Sequence, residues 1–189
     1  MSHIQIYDNI LSQKSCDEVI EIFEESKSPY KTIGAFGDNL TVDKKRKDSI
    51  DLSLSFRSPD YEGEYKINQY VINTLSVCTE KYIKKYPFLN EADTWNLYHE
   101  YNIQKFSDGG GYHSIHCEAN SQTSNRMLVW MIYLNNAKCG TRFYYPKRDI
   151  RARRGRVVIW PSFWTHPHSG ITPNKGNKYI MTGWFSYTC

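Results

Sequence analysis

The sequence predicts an α+β fold: helices over about residues 1–95, then a mainly β core over about 96–189, in one domain. Two observations carry this. Apolar residues recur at helical spacing only in the first half of the chain. After residue 95 the apolar segments alternate or run continuously, are rich in aromatic and β-branched residues, and are separated by Gly/Pro/Asn turns.

The first helix is "LSQKSCDEVIEIFEES", where Ser15 and Glu18 have capping-box spacing and Val19, Ile20, Ile22 and Phe23 supply an apolar face. The polar stretch "GDNLTVDKKRKDSID" reads as a loop leading into a strand, and its run Lys44, Lys45, Arg46, Lys47 reads as solvated surface. "YKINQYVINTLSVCTEKYIKKY" has helical periodicity and ends at Pro87. "WNLYHEYNIQKF" alternates as a strand. "RMLVWMIYLNN" is apolar on both faces, so both should be covered. "GRVVIWPS" and "KYIMTGWFSY" are further strands, and "TPNKGN" is a turn that could return the chain as a neighbouring strand. Trp130, Trp160 and Trp184 read as core, Trp164 and Tyr112 as pocket wall. The basic cluster Arg151, Arg153, Arg154 and Arg156 reads as a solvated turn.

Composition narrows the function. A formal charge of +4 on 189 residues is too small to argue for nucleic acid. No basic segment followed by an apolar core opens the chain, and no apolar run is long enough for a membrane span. Five scattered cysteines, odd in number and without C-x-x-C, argue against a disulfide framework or structural zinc and for a reducing compartment, so a cytoplasmic location is expected. Nothing in the sequence speaks to oligomeric state.

Chemistry concentrates in two short clusters, "GGGYHSIHCEANS" at 109–121 and "WTHPHSG" at 164–170. Side chains two apart on an extended chain point the same way, so His116 and Glu118 can face one side together. With one histidine from the second cluster they would form a 2-His-1-carboxylate set, which suits Fe(II) and leaves coordination positions open. His166 and His168 compete for the third place. Lys178, ten residues beyond His168, could aim its ammonium into the same cavity, where it would need an anionic partner. His113, three before His116, should face away. The glycines lack the G-K-[ST] ending of a phosphate loop and read as a turn allowing close backbone approach.

These residues resemble the Fe(II)- and 2-oxoglutarate-dependent oxygenases, specifically the prolyl 4-hydroxylase-like branch. The resemblance spans most of the chain: the opening "IYDNILSQKSCDEVIEIF", then "IQKFSDGGGYHSIHCE", "RMLVWMIYLNN", "CGTRFYYP", "RRGRVVIWPS" and "HSGITPNKGNKYIMTGWF" follow the family's blocks in order. It implies a double-stranded β-helix (jelly roll) with N-terminal helices packed on it. It also implies iron ligands His116, Glu118 and His168, with Lys178 pairing the C5 carboxylate of 2-oxoglutarate and Tyr133 donating a hydroxyl to the same end. The implied activity is a dioxygenase reaction: O₂ and 2-oxoglutarate are consumed, succinate and CO₂ are released, and an unactivated C–H bond is hydroxylated, with room for ascorbate. The substrate would be a protein, peptide or small molecule, proline being the nearest precedent.

Three positions depart from the family pattern: Glu118 replaces its aspartate, Phe106 stands where many relatives carry tyrosine, and Val129 replaces a threonine. Two other readings compete. A non-catalytic β-helix binding module would follow if Glu118 had degraded the iron site. An AlkB-like nucleic-acid demethylase would call for an arginine anchor and an R-x-x-x-x-x-R signature, but no arginine follows Arg156. Residues 30–65 and the turn at 118–126 are the segments expected to cover the pocket.

Overall fold

The computed structural model describes residues 2–37, 40–59 and 62–188. Cys189 and the Asp38–Asn39 part of the polar stretch lie outside them. Seven strands form a large sheet in the order β1 (Gln5–Tyr7), β8 (Arg156–Pro161), β5 (Arg126–Tyr133), β10 (Lys178–Tyr187), β4 (Trp95–Phe106), β3 (Ile50–Ser55), β2 (Lys31–Ile33). Three more form a small sheet, β7 (Arg148–Arg151), β6 (Gly140–Phe143), β9 (His168–Ile171). Every pairing is antiparallel. The two sheets face each other in the expected jelly roll.

One face of the large sheet takes the helices. α1 (Gln13–Glu25) buries Cys16, Val19 and Phe23. α2 (Glu62–Lys85) buries Ile67, Val71, Leu75, Cys78 and Tyr82, all at i, i+3/i+4 spacing. They close over Leu128, Trp130 and Ile132 of β5, Val157 and Ile159 of β8, and Met181 of β10. Acidic Glu62 and Glu64 at the start of α2 and Lys84 and Lys85 at its end complement the helix dipole, and Pro87 stops it. The other face of β5, Val129, Met131 and Tyr133, packs against Phe143 and Ile150 of the small sheet. Its double coverage is what the continuous apolar run predicts.

Several sequence expectations are corrected. The cap of α1 is Ser12, whose hydroxyl accepts the Ser15 N–H at 3.1 Å; Ser15 lies inside the helix and Glu18 is engaged by Lys66 at 3.0 Å instead. "TPNKGN" does not return the chain beside β9; it carries it from the small sheet to the large one, as a jelly-roll corner must. Arg156 is buried, holding Asp8 through two hydrogen bonds of 2.6 and 3.0 Å that tie the N-terminal segment to β8. Lys47 is not solvated: at 5 % exposure it donates to Asp51 at 2.5 Å and to the Ala35 carbonyl at 2.9 Å, while Ser49 and Gln104 hold the same Asp51 carboxylate.

Candidate metal centre

His168 opens β9, and the segment around His116 bridges it: each backbone N–H donates to the other's carbonyl, at 3.0 and 2.8 Å. Directly opposed residues of such a pair project to the same side, and the two rings lie 4.4 Å apart. The turn leading in is built from the glycines. Gly109 has φ +74°, and a side chain at Gly110 would stand 2.8 Å from the Asp48 carbonyl. Two residues beyond His116 the chain bends, and the N–H groups of Glu118 and Ala119 both donate to the Ser162 carbonyl at the end of β8.

This brings Glu118 Oε1 to 3.5 Å from Nε2 of both His116 and His168. The three ligand atoms lie within 4.8 Å of one another. Bonds of roughly 2.0–2.2 Å put adjacent donors about 3 Å apart around an octahedral metal, so a small contraction would close the set on an ion. Each imidazole is oriented for it. His116 Nδ1 donates to the Ser114 carbonyl at 2.9 Å and His168 Nδ1 to the His166 carbonyl at 3.0 Å, leaving both Nε2 atoms facing the carboxylate. Burial, reinforced by the neighbouring His116, pushes the His168 pKa down, toward the neutral ligand form. Burial would raise the Glu118 carboxyl, but the two facing imidazoles hold it well below the usual carboxylate range. A neutral histidine and an ionised carboxylate are the forms that bind metal.

His166 is turned away, its Nε2 donating to the Ser2 carbonyl at 2.6 Å and its Nδ1 accepting from Thr165. His113 is exposed and outside the cluster. Tyr112 stacks on His116 with ring centroids 3.8 Å apart and lines the cavity, whereas Trp164 is 72 % exposed and does not.

The three residues open onto a cavity of about 300 Å³ between the sheets. Lys178 lies in its wall, 2 % exposed, its ammonium 4.4 Å from the Phe106 ring and only 3.4 Å from the Gly140 carbonyl. Among the described residues no carboxylate pairs with it. Burial pushes its pKa down to about 8. A buried ammonium without a counter-ion fits the distal carboxylate of a dicarboxylate. Tyr133 does not line the cavity: its hydroxyl is bonded to Thr141 Oγ1 at 2.7 Å, and Thr141 stands in the wall. Ala35, Phe36, Gly37 and Leu40 on one side and Asn120, Thr123 and Arg126 on the other contribute to the wall, as does the buried Lys47.

Trp184, expected in the core, lines the cavity and donates its indole N–H to Glu118 Oε2 at 2.9 Å. The signal that could have found it is parity: Lys178, Ile180, Thr182 and Trp184 alternate along β10 and all reach the cavity. Thr141, likewise unassigned from sequence, sits two residues into the "CGTRF" segment.

Comparison with known proteins agrees with this geometry. Residues 98–186 match the family model described as the 2OG-Fe(II) oxygenase superfamily. No curated protein sequence matches. Among solved structures, the chain is similar to a prolyl hydroxylase from Trichoplax adhaerens in complex with a hypoxia inducible factor peptide fragment (17 % identity, 98 % of this chain and 84 % of that one, TM-score 0.73). It is also similar to a Pseudomonas putida prolyl-4-hydroxylase (15 %, 100 % and 95 %, TM-score 0.69). A third is the viral collagen prolyl hydroxylase of Paramecium Bursaria Chlorella virus-1 in its 2OG complex (16 %, 98 % and 97 %, TM-score 0.59). The β core from residue 98 to 186 thus resembles the 2OG-Fe(II) oxygenase superfamily, whose Fe(II) the His-Glu-His donor set fits, and the whole chain shares the fold of these prolyl hydroxylases.

Proposed function

We propose that the protein is a prolyl 4-hydroxylase-like enzyme that hydroxylates an unactivated C–H bond in a protein or peptide, a free amino acid being the competing substrate class. In this reading His116, Glu118 and His168 hold Fe(II). Lys178 pairs the C5 carboxylate of 2-oxoglutarate, helped by the Thr141 hydroxyl that Tyr133 backs. The observation that carries it is the buried Lys178 ammonium, without a carboxylate partner among the described residues, in the wall of the cavity onto which the three ligand residues open.

Bound iron with its co-substrates supplies an oxidant able to break a C–H bond, and succinate and CO₂ are the co-products. The chain's own residues orient and exclude. Three donors on one side of the metal leave positions for co-substrate and O₂. Phe106, Met131 and Ile180 make the inner wall apolar, which strengthens the Lys178–carboxylate pairing. Asn102, Gln104 and Thr182 form a polar stretch of the wall that can meet main-chain amides of a peptide. The Trichoplax relative was captured with such a peptide. Among the described residues the one arginine in the cavity wall, Arg126, lies at Glu118 rather than at Lys178, which counts against an arginine-anchored demethylase. A non-catalytic module would leave the buried ammonium without a reason. Cys16, Cys78, Cys117 and Cys139 are free thiols, which supports one cytoplasmic domain as the working assignment.

The experiment is anaerobic addition of Fe(II) and 2-oxoglutarate, read by the weak visible charge-transfer band, followed by succinate release in air with proline-containing peptides. The band should appear, vanish in His168→Ala and survive in His166→Ala. Absence of both band and succinate would sink the oxygenase assignment of the site; loss in His166→Ala instead would overturn the ligand set.

A further inference from the structure

Glu118 presents two different oxygens. Oε1 faces the two histidine Nε2 atoms at 3.5 Å each. Oε2 points away from them, accepts the Trp184 indole N–H at 2.9 Å and lies 3.5 Å from Arg126 Nη1. Arg126 is itself laid on the Trp184 ring, its guanidinium carbon 3.6 Å from the centroid, and the same Nη1 donates to the Glu118 backbone carbonyl at 3.2 Å. One cation thus holds the residue's main chain, its carboxylate and the ring that restrains that carboxylate.

We propose that Trp184 and Arg126 are positioning residues that lock Glu118 into ligation through a single oxygen, and so make a glutamate serviceable at this metal site. This rests on the reading of His116, Glu118 and His168 as metal ligands. A glutamate carries one more rotatable bond than an aspartate, and its freed carboxylate could swing to present both oxygens or fold out of the site. Two-oxygen ligation would fill a position that 2-oxoglutarate or O₂ needs. Occupying Oε2 with a directed N–H donor removes that option. The strand is shaped for the purpose: the β10–β4 ladder breaks register between Gly183 and Phe185, and such irregularities re-aim side chains. Two other tryptophans make the contrast. The indole N–H groups of Trp130 and Trp160 are buried without an acceptor among the described residues, so these rings serve packing, while the donor of Trp184 ends on a carboxylate.

The test is Mn(II) binding, followed by the electron paramagnetic resonance of the free ion, which needs no turnover. Trp184→Phe keeps an aromatic platform for Arg126 and deletes the N–H; Mn(II) affinity should fall about tenfold, the lower end for loss of such an orienting partner. In a Glu118→Asp background the shorter carboxylate no longer reaches the indole, so adding Trp184→Phe should change affinity less than about twofold. Equal losses in both backgrounds would mean a merely structural role and overturn the proposal. Arg126→Gln is a second variant, expected to weaken Mn(II) severalfold; should Trp184→Phe fail to fold, an unchanged affinity in Arg126→Gln overturns the proposal on its own. If the unaltered protein binds Mn(II) and Trp184→Phe binds it equally well, the positioning role is wrong and the ligand reading stands. If the unaltered protein does not bind Mn(II), the ligand reading itself falls, and the proposal with it.

Discussion

The two faces of the seven-stranded sheet are built from the same strands and do opposite things. On β10, Tyr179, Met181 and Phe185 turn to the helices while Lys178, Ile180, Thr182 and Trp184 turn to the cavity. On β4, Tyr101 and Ile103 go to the helices, and Asn102, Gln104 and Phe106 to the cavity. The helix-covered face buries mostly apolar side chains, with a few polar pairs among them such as Tyr101 to Asn68 at 2.7 Å. The cavity face carries Lys178, without a counter-ion among the described residues, and Glu118 between two imidazoles. The first arrangement stabilises the fold. The second leaves binding capacity that the polypeptide alone does not satisfy, and that costs stability.

The sharpest way to break this division is to injure each face separately. His168→Ala on the cavity side should lower metal affinity at least a hundredfold, with the thermal midpoint moving only a few degrees. Ile132→Ala on the helix side of β5 should cost about 2–5 kcal/mol of stability and leave the metal affinity of the folded protein unchanged. Calorimetric unfolding alongside metal titration distinguishes the two. An Ile132→Ala protein that folds yet loses metal would show that the faces are coupled rather than divided.

Lys178 sharpens the same contrast, because its presence should oppose stability. Its pKa falls from 10.5 in the open chain to about 8 when buried, burial dominating and the nearby Cys139 partly opposing it. The folded state therefore holds this proton less tightly than the unfolded state does. Below pH 8 both states are protonated and the penalty, roughly 3 kcal/mol, is present in full. Between about pH 8 and 10.5 the folded protein loses the proton first, so stability rises with pH across that window. Lys178→Met should raise the stability of the ligand-free protein at pH 7 and flatten its rise toward pH 10. The same change should weaken 2-oxoglutarate at least tenfold, while metal binding stays within a few-fold. Urea unfolding at two pH values and a 2-oxoglutarate titration measure both; a less stable variant would contradict the unpaired-charge account.

How much of this was legible in the sequence follows the range of each signal. Helix and strand periodicity is local, so α1, α2, β4, β5, β8 and β10 read directly, and the run of β5 even revealed that both faces are covered. The four-residue strands β6, β7 and β9 are too short to show a period. His116, Glu118, His168 and Lys178 stood out because spacing within each segment and the block resemblance together paired distant segments. Trp184 did not, since an aromatic next to Phe185 looks equally buried on either face and periodicity cannot say which face meets a cavity. Lys47 was read with its charged neighbours as solvated because nothing local reveals that Asp51 and the Ala35 carbonyl close around it. Tyr133 came from the resemblance alone, and its reach was not readable: Thr141 comes from another sheet and stands between it and the cavity.

The smallest expected effect concerns the helix-covered face alone. Two serines precede the apolar stripe of α1, and sequence spacing favours Ser15 with Glu18, whereas the geometry gives the cap to Ser12, with φ −64° and ψ 156° and its hydroxyl on the Ser15 N–H. Ser12→Ala should therefore cost about 1 kcal/mol. Ser15→Ala, which keeps the N–H that Ser12 binds, should cost less. Because α1 touches only the helix side of the sheet, neither change should alter metal or 2-oxoglutarate affinity. Equal losses from the two would place the helix start three residues later and return the cap to Ser15. A loss of ligand affinity from Ser12→Ala would mean that strain on one face of the sheet is felt on the other.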